Sequence, residues 1–153
     1  MKILLTGATG FLGNYFLKAD LGEIVTLGKS SSNTISCDLS DQVPDIPQVE
    51  AVIHSAGWAH RIPNNPDQES KFYQVNLFGT QNLVTGLNNM AKPPKYFIFI
   101  STVAVYGLEE GMGIEEQTLP EPSTPYAKSK YEAELLLQNW ARSNGIMLVI
   151  LRL

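Results

Sequence analysis

Cysteine occurs once in this chain of 153 residues, at Cys37. An internal disulfide is therefore excluded. With no ligand-spaced partner beside it, Cys37 gives no sign of a metal site and reads as a small buried apolar residue. Long hydrophobic runs are also missing. The longest, residues 146–151, has six members, against the roughly 20 that a membrane-spanning helix needs. The N-terminus opens on a strand pattern rather than on a basic, then apolar, export signal. These absences lead us to expect a cytoplasmic protein with no membrane contact. Clustered positive charge is the third deficit. Eleven Lys and Arg are scattered against fifteen Asp and Glu, for a net charge of −4, which gives no general attraction for nucleic acid. Any phosphate must be held locally. The remaining composition, 44% hydrophobic and 17% charged, is that of an ordinary globule. The length is that of one domain with a single core, residues 1–153.

What is present begins at once. The first thirteen residues, MKILLTGATGFLG, run an apolar strand into a turn bearing Gly7, Gly10 and Gly13 and then into a helical pattern. Ile3, Leu4 and Leu5 are apolar on both sides, as a covered strand of a parallel sheet must be. Gly7 suits a sharp exit, a Cβ at Gly10 would stand between the backbone and a bound pyrophosphate, and Gly13 lets the helix lie close to its strand. The first free amides of that helix point at an anion. A glycine triplet alone is a weak signal, but a chain-initial strand before it and a helix after it supply the context of a dinucleotide-binding corner.

The helix over residues 11 to about 20 should bury Phe11, Leu12, Tyr15, Phe16 and Ala19. Residues 23–27 form the second strand. In the dinucleotide fold an acid at its end takes the adenine-ribose hydroxyls, yet Gly28, Lys29, Ser30, Ser31 and Ser32 follow. A lysine and hydroxyls suit a 2′-phosphate better than a free hydroxyl, which favours NADP over NAD; the alternative is a solvated serine-rich loop. A third strand covers residues 34–37. Asp38 then has two readings, an acceptor for the adenine amino group or, with Ser40, the cap of a helical turn. Residues 50–55 are the fourth strand, ending in His54-Ser55-Ala56-Gly57, where small residues would admit a cofactor ribose. His54 reads as structural, with no evident partner. Arg61, in the next loop with His60, is either a surface residue or a contact for a substrate phosphate. Asn65-Pro66-Asp67 starts a helix that runs to about Met90, with Phe72, Val75, Gly79, Leu83 and Leu87 as its buried stripe and Asn76 beside it. Residues 96–100 are the fifth strand, leading to Ser101-Thr102. A loop over residues 107–122, with paired acids at Glu109-Glu110 and Glu115-Glu116, crosses the top of the sheet. Ser123-Thr124-Pro125 caps a helix that Asn144-Gly145 ends, and residues 146–151 are the sixth strand. Strand and helix alternate throughout, so the sheet should be parallel with right-handed crossovers.

Tyr126 and Lys130 are four apart near the start of the last helix and share a face. A free phenol, with a pKa near ~10, is a poor base at neutral pH. An adjacent ammonium favours the phenolate, so the pair can exchange a proton with a carbinol or carbonyl oxygen. In isolation such a pair also arises by chance on amphipathic helices. Here it joins the N-terminal glycines and a hydroxyl at the end of the fifth strand.

With those residues in view, the chain resembles the extended short-chain dehydrogenase/reductase family, in its nucleotide-sugar epimerase, dehydratase and reductase branch. TGATGFLG, the Asp38-Leu39 pair, HSAG, VNLFGT, STVAVYG and YAKSK recur in the family's order from end to end. The resemblance implies an α/β fold, a Rossmann-like doubly wound parallel sheet of strand order 3-2-1-4-5-6. It implies that the Phe11 and Leu12 amides hold pyrophosphate, that Asp38 and Leu39 hold adenine, and that Ala56 and Gly57 lie along an NAD(P) cofactor. Asn76 matches an asparagine that orders the active site. Thr102 matches the hydroxyl that holds the reacting oxygen, Tyr126 the acid/base, and Lys130 the residue that tunes the tyrosine and bonds the nicotinamide ribose. The expected substrate is a nucleotide sugar.

Sugar 4,6-dehydratases of the family resemble one another in an Asp-Glu pair after the position of Thr102. This chain has Val103 and Ala104, neither able to move a proton. That leaves 4-epimerisation or reduction of a keto-sugar, and an NADP preference leans towards reduction. The sequence stops where the family's sixth strand begins its arginine-led segment, so we expect these residues to lack the substrate-gripping lobe, as a fragment of a longer protein or as a natural truncation, and to bind cofactor with poor turnover. Leu135, Leu136 and Leu137 cannot all face the sheet. Since family members pair through the helices after strands four and five, one of them, with Leu77 and Val84, forms either a homodimer surface or a broader buried face. The rival class is a non-catalytic module that binds or senses NAD(P).

Overall fold

Six strands join into one parallel sheet in the computed structural model, which describes residues 1–59, 65–108 and 110–153. They are β1 (Lys2–Thr6), β2 (Glu23–Gly28), β3 (Ile35–Ser36), β4 (Ala51–His54), β5 (Tyr96–Ser101) and β6 (Met147–Arg152). Their order across the sheet is β3-β2-β1-β4-β5-β6, the expected one. Every pairing is parallel, with Leu4 opposite Val25 on one side and Val52 on the other. Central strands buried on both faces read as unbroken apolar runs, and Ile3, Leu4, Leu5, Val52 and Ile53 are all buried.

The helices are unequally divided between the faces. On one face α3 (Gly79–Asn88) and α4 (Pro125–Asn144) cover Leu4, Leu27, Val52, Phe97 and Phe99 with Leu83, Leu87, Ala133, Leu137 and Ala141. The opposite face carries α1 (Phe11–Lys18) and a smaller cluster of Ile3, Leu5, Ala51 and Ile53, on which Phe16 packs. Towards β6 this face is open: Met147, Val149 and Leu151 are exposed.

Three expectations need correction. The buried side of α1 is Gly13, with Leu12 and Phe16 half-buried, whereas Phe11, Tyr15 and Ala19 are exposed. Gly13 sets the rotation. A Cβ there would fall 2.1 Å from the Gly7 carbonyl oxygen, so this residue must face the turn. At about 100° per residue that sends Phe11 and Tyr15 outward, where their rings meet edge-on at 5.1 Å. The second correction concerns the helix over residues 65–90. It starts as expected, with the Asn65 side chain accepting from the Gln68 amide at 2.9 Å and Pro66 in its first turn. However, α2 (Pro66–Phe72) passes into a π-helical turn at Tyr73–Phe78 before α3. The wide turn shifts the register by one residue, so Asn76 is buried and Val75 only partly so. Third, Val84 lies in the main core, which removes it from a partner surface, while Leu77 is half-buried and packs against that core; of the three leucines on α4, Leu135 is the exposed one.

Caps follow the sequence. Thr124 accepts from the Ala127 amide at 3.1 Å, and Gly145 ends α4 at φ 66°. Cys37 is buried, and burial with the nearby Asp38 and Asp41 pushes its thiol pKa up. His60, Arg61 and Glu109 lie outside the described residues. Among the described residues no helix is long and apolar enough to cross a membrane.

Candidate active site at the carboxyl ends of the strands

The turn after β1 is built by contact. Gly7 takes φ 73°, and a Cβ on it would sit 2.7 Å from the Ala56 amide nitrogen, so the corner and the end of β4 approach to backbone distance. Gly10 donates to the Gly7 carbonyl at 3.0 Å, and the Asn14 amide donates to Gly10 as the first bond of α1. Ahead of that bond stand the amides of Phe11, Leu12 and Gly13, at the positive end of the helix. Gly10 caps α1 with no side-chain bond. The arrangement is a backbone cradle suited to an anion.

Beside it, at the ends of β2 and β3, Lys29 Nζ lies 2.6 Å from Asp38 Oδ2. The other oxygen of Asp38 accepts from the Ser40 amide at 3.0 Å and the Ser40 hydroxyl at 2.6 Å. Burial raises the Asp38 pKa, but the bonds from Lys29 and Ser40 outweigh it and hold the carboxyl below its ordinary range. The turn-capping role foreseen for Asp38 is thus present in the structure, together with a cation. Ser30 and Ser32 share a hydroxyl bond of 2.8 Å beside this pair. Leu39 is buried, its carbonyl accepting from the Asn82 side chain.

Across the sheet, a cleft of about 710 Å³ is lined by Gly10, Phe11 and Leu12 on one side and by Thr102, Tyr126 and Lys130 on the other, with Gly57 between. The Thr102 oxygen accepts from the Ala104 amide at 3.2 Å, as cap of the 3-10 turn Val103–Tyr106, leaving its own proton for donation. The Tyr126 ring packs at 5.9 Å on Phe72. Lys130 is buried, its Nζ donating to the Ile100 carbonyl at 2.6 Å and standing 4.0 Å over the Phe99 ring. Burial pushes its pKa down to about 7, against the pull of Glu134.

Two sets of partners were not foreseen. His54 does have partners: Nδ1 lies 2.6 Å from the Thr6 hydroxyl and Nε2 lies 2.9 Å from that of Thr80. Thr80 gives its proton to the Asn76 carbonyl and Thr6 accepts from the Ala56 amide. The tautomer follows: Nε2 donates and Nδ1 accepts. Burial, with the charge of Lys130, pushes the His54 pKa down to about 3. The Asn76 side chain continues the chain, accepting from the Trp58 amide at 2.7 Å and donating to the Trp58 carbonyl and the Ser129 hydroxyl; Ser129 in turn donates to the Tyr126 carbonyl. The second set surrounds Glu134, which is fully buried on α4. Arg152 bonds both its oxygens, at 3.2 and 2.7 Å, and the Ser101 hydroxyl donates to Oε1. Arg152 also donates to the Tyr106 hydroxyl at 2.9 Å. The signal for Glu134 in the sequence is its place four beyond Lys130 and three before Leu137, a charge on the buried side of α4.

Comparison with known proteins places these features in a family. The model of the NAD dependent epimerase/dehydratase family matches residues 3–153. The chain is 32% identical to the GDP-6-deoxy-D-mannose reductase of Pseudomonas aeruginosa, over 99% of this chain and 51% of the relative. Among solved structures, RMD from Pseudomonas aeruginosa complexed with NADPH superposes with a TM-score of 0.73 at 29% identity, over 99% of this chain and 54% of that one. The UDP-glucose 4-epimerase of Thermus thermophilus in complex with NAD gives 0.78 at 26% identity, over 99% and 54%. Sugar 4,6-dehydratases stand among the other relatives. The chain spans about half the length of the curated relatives it matches.

Proposed function

The chain belongs to the NAD dependent epimerase/dehydratase family, and on that footing we propose that it supplies the cofactor-binding and proton-transferring half of an NAD(P)-dependent nucleotide-sugar epimerase or keto-sugar reductase. The observation that carries the reading is one cleft lined both by the glycine corner and by Thr102, Tyr126 and Lys130. The free amides at the head of α1 suit the pyrophosphate of a dinucleotide, and the turn that presents them needs glycine at 7 and 13, where a Cβ would collide with backbone. The amides of Phe11 and Leu12 would take the pyrophosphate, Asp38 and Leu39 the adenine, and Ala56 and Gly57 the length of the cofactor. Lys29 and Ser30 would take a 2′-phosphate, which favours NADP.

A bound NAD(P) would supply the hydride chemistry at a sugar carbon, which no protein side chain can. The protein handles the proton. Tyr126 takes it from, or gives it to, the reacting oxygen, and Thr102 donates a hydrogen bond that holds that oxygen in place. Lys130 supplies positive charge next to the phenol and a donor for the nicotinamide ribose. Asn76 orders the site by pinning Trp58 backbone and Ser129 at once. Val103 and Ala104 offer no proton carrier, which favours epimerisation or reduction over dehydration. The relatives include a reductase, a 4-dehydrogenase, epimerases and dehydratases, and their names support a nucleotide-sugar substrate.

The test is Tyr126→Phe in the full-length protein, assayed with NADH and NADPH against GDP-, UDP- and dTDP-linked hexoses. Turnover should fall by roughly 10²- to 10⁴-fold while cofactor affinity, read by nicotinamide fluorescence, stays the same. A module that only binds NAD(P) would lose nothing, and unchanged turnover would remove the catalytic reading.

A further inference from the structure

Lys130 is a buried amine whose nearest partners are a carbonyl and an aromatic ring. Neither supplies a negative charge. Glu134, four residues on, shares its face of α4, and the other buried positions of the helix are Ala127, Ser129, Ala133, Leu137 and Ala141. A carboxylate is a costly occupant of such a place, because a buried ion pair can generally be replaced by apolar side chains without loss of stability. Glu134 is nevertheless held by the ends of two strands, Arg152 of β6 and Ser101 of β5. Arg152 is tied in turn to Tyr106, whose hydroxyl donates to the Glu115 carbonyl at 3.1 Å. Packing gives no reason for a charge here.

We propose that Glu134 is a positioning residue for Lys130: clamped by Arg152 and Ser101 one turn along α4, its carboxylate keeps the lysine an ammonium in the cleft it shares with Tyr126. The inference rests on the reading of Lys130 as the partner of Tyr126. The groups around Lys130 leave that task to Glu134. Tyr126 and Glu134 come from α4, His54 from β4, Arg152 from β6 and Tyr106 from the turn after β5. The π-helical turn adds Asn76, which does not titrate, and Tyr73, whose pKa is raised by burial and by Glu132 and Glu69. His54 is neutral down to about pH 3. Hydrogen bonding to Glu134 raises the pKa of Arg152, so its charge is constant. Asp67 and Glu69 of α2, which also packs on α4, and Glu132 of α4 are exposed, so Glu134 is the buried carboxylate of this set.

The experiment follows the Lys130 Cε resonance by NMR through a pH titration of the cofactor-free chain, the signal being assigned by its loss in Lys130→Arg. In Glu134→Gln the midpoint should fall by roughly one unit, and in Arg152→Gln, where the carboxylate keeps Lys130 as its main counterion, it should rise. A merely structural role would move the two midpoints together or leave both in place, and either result overturns the proposal. Where Glu134→Gln does not fold, Arg152→Gln decides alone: a rise supports the proposal, and an unmoved or lowered midpoint ends it. Neither measurement involves substrate, so the outcome is independent of the Tyr126→Phe turnover test.

Discussion

The chain of hydrogen bonds through His54 and the cluster around Glu134 both run through the interior, and both fasten α4 to the carboxyl ends of strands. They use different physics. The first is neutral, and its donors and acceptors match one to one from the Ala56 amide through Thr6, His54 and Thr80 to the Asn76 carbonyl. Such a chain fixes distances between the glycine corner and the helix that bears Tyr126 without adding a field. The second is ionic, Glu134 being paired with Arg152 and lying one helical turn from Lys130, whose pKa it raises against burial. It fixes position too, but it also sets the charge of its neighbours. On the proposed function, the difference teaches that the two halves of the cleft have different requirements: the side that would hold the cofactor needs backbone at contact distance, and the side that would carry the proton needs a charge kept in place.

Removing one partner from each network should separate them in size. Glu134→Ala leaves the Arg152 guanidinium and the Ser101 hydroxyl without their acceptor, and should cost about 3–5 kcal/mol in urea unfolding. The double change Glu134→Leu with Arg152→Met should recover most of that loss; if it does not, the cluster is needed for folding rather than for charge. His54→Leu orphans less, since Thr6 still accepts from Ala56 and Thr80 still donates to Asn76. About 1–3 kcal/mol is expected. A larger cost there than at Glu134 would reverse the comparison.

Acid sharpens the contrast. Burial, with the charge of Lys130, pushes the His54 pKa down from its ordinary 6.5 to about 3 in the fold. Between those values the unfolded chain binds a proton that the native state does not, so stability falls as pH drops from 6.5 towards 3, by up to about 1.4 kcal/mol per unit. His54→Leu should flatten that part of the stability profile. An unchanged slope would mean that the imidazole accepts a proton without breaking its bonds to Thr6 and Thr80.

These networks also mark where the sequence stopped being readable. The glycine corner, the caps at Asn65 and Thr124 and the Tyr126–Lys130 spacing were legible because each is a local pattern or a repeated period, whereas the strand order followed from the family resemblance. The partners of His54 were not, because Thr6 and Thr80 lie 48 and 26 residues away along the chain and meet it only once the sheet has formed. Asn76 was seen beside its stripe rather than on it, since periodicity assumes 3.6 residues per turn and the π-helical turn breaks that phase. The outward face of α1 was misread for a related reason: hydrophobicity ranks Phe11 and Tyr15 above Gly13, whereas the close contact at Gly13 decides the rotation.

A third polar pair, Lys29 with Asp38, gives the smallest stability effect and the most pointed functional one. Its lysine side chain is 65% exposed, so water screens the pair, and Lys29→Ala should change stability by under about 0.5 kcal/mol. The same substitution should lower the affinity for NADPH by roughly tenfold and leave NADH alone, if Lys29 turns from Asp38 to a 2′-phosphate when one is present. Asp38 opposes that turn twice, by holding Nζ at 2.6 Å and by repelling the phosphate. Asp38→Asn therefore ought to raise the ratio of NADPH to NADH affinity while Lys29→Ala lowers it. Should Lys29→Ala leave the ratio untouched, the lysine serves only its carboxylate, the NADP preference is lost, and the lean towards reduction over epimerisation goes with it.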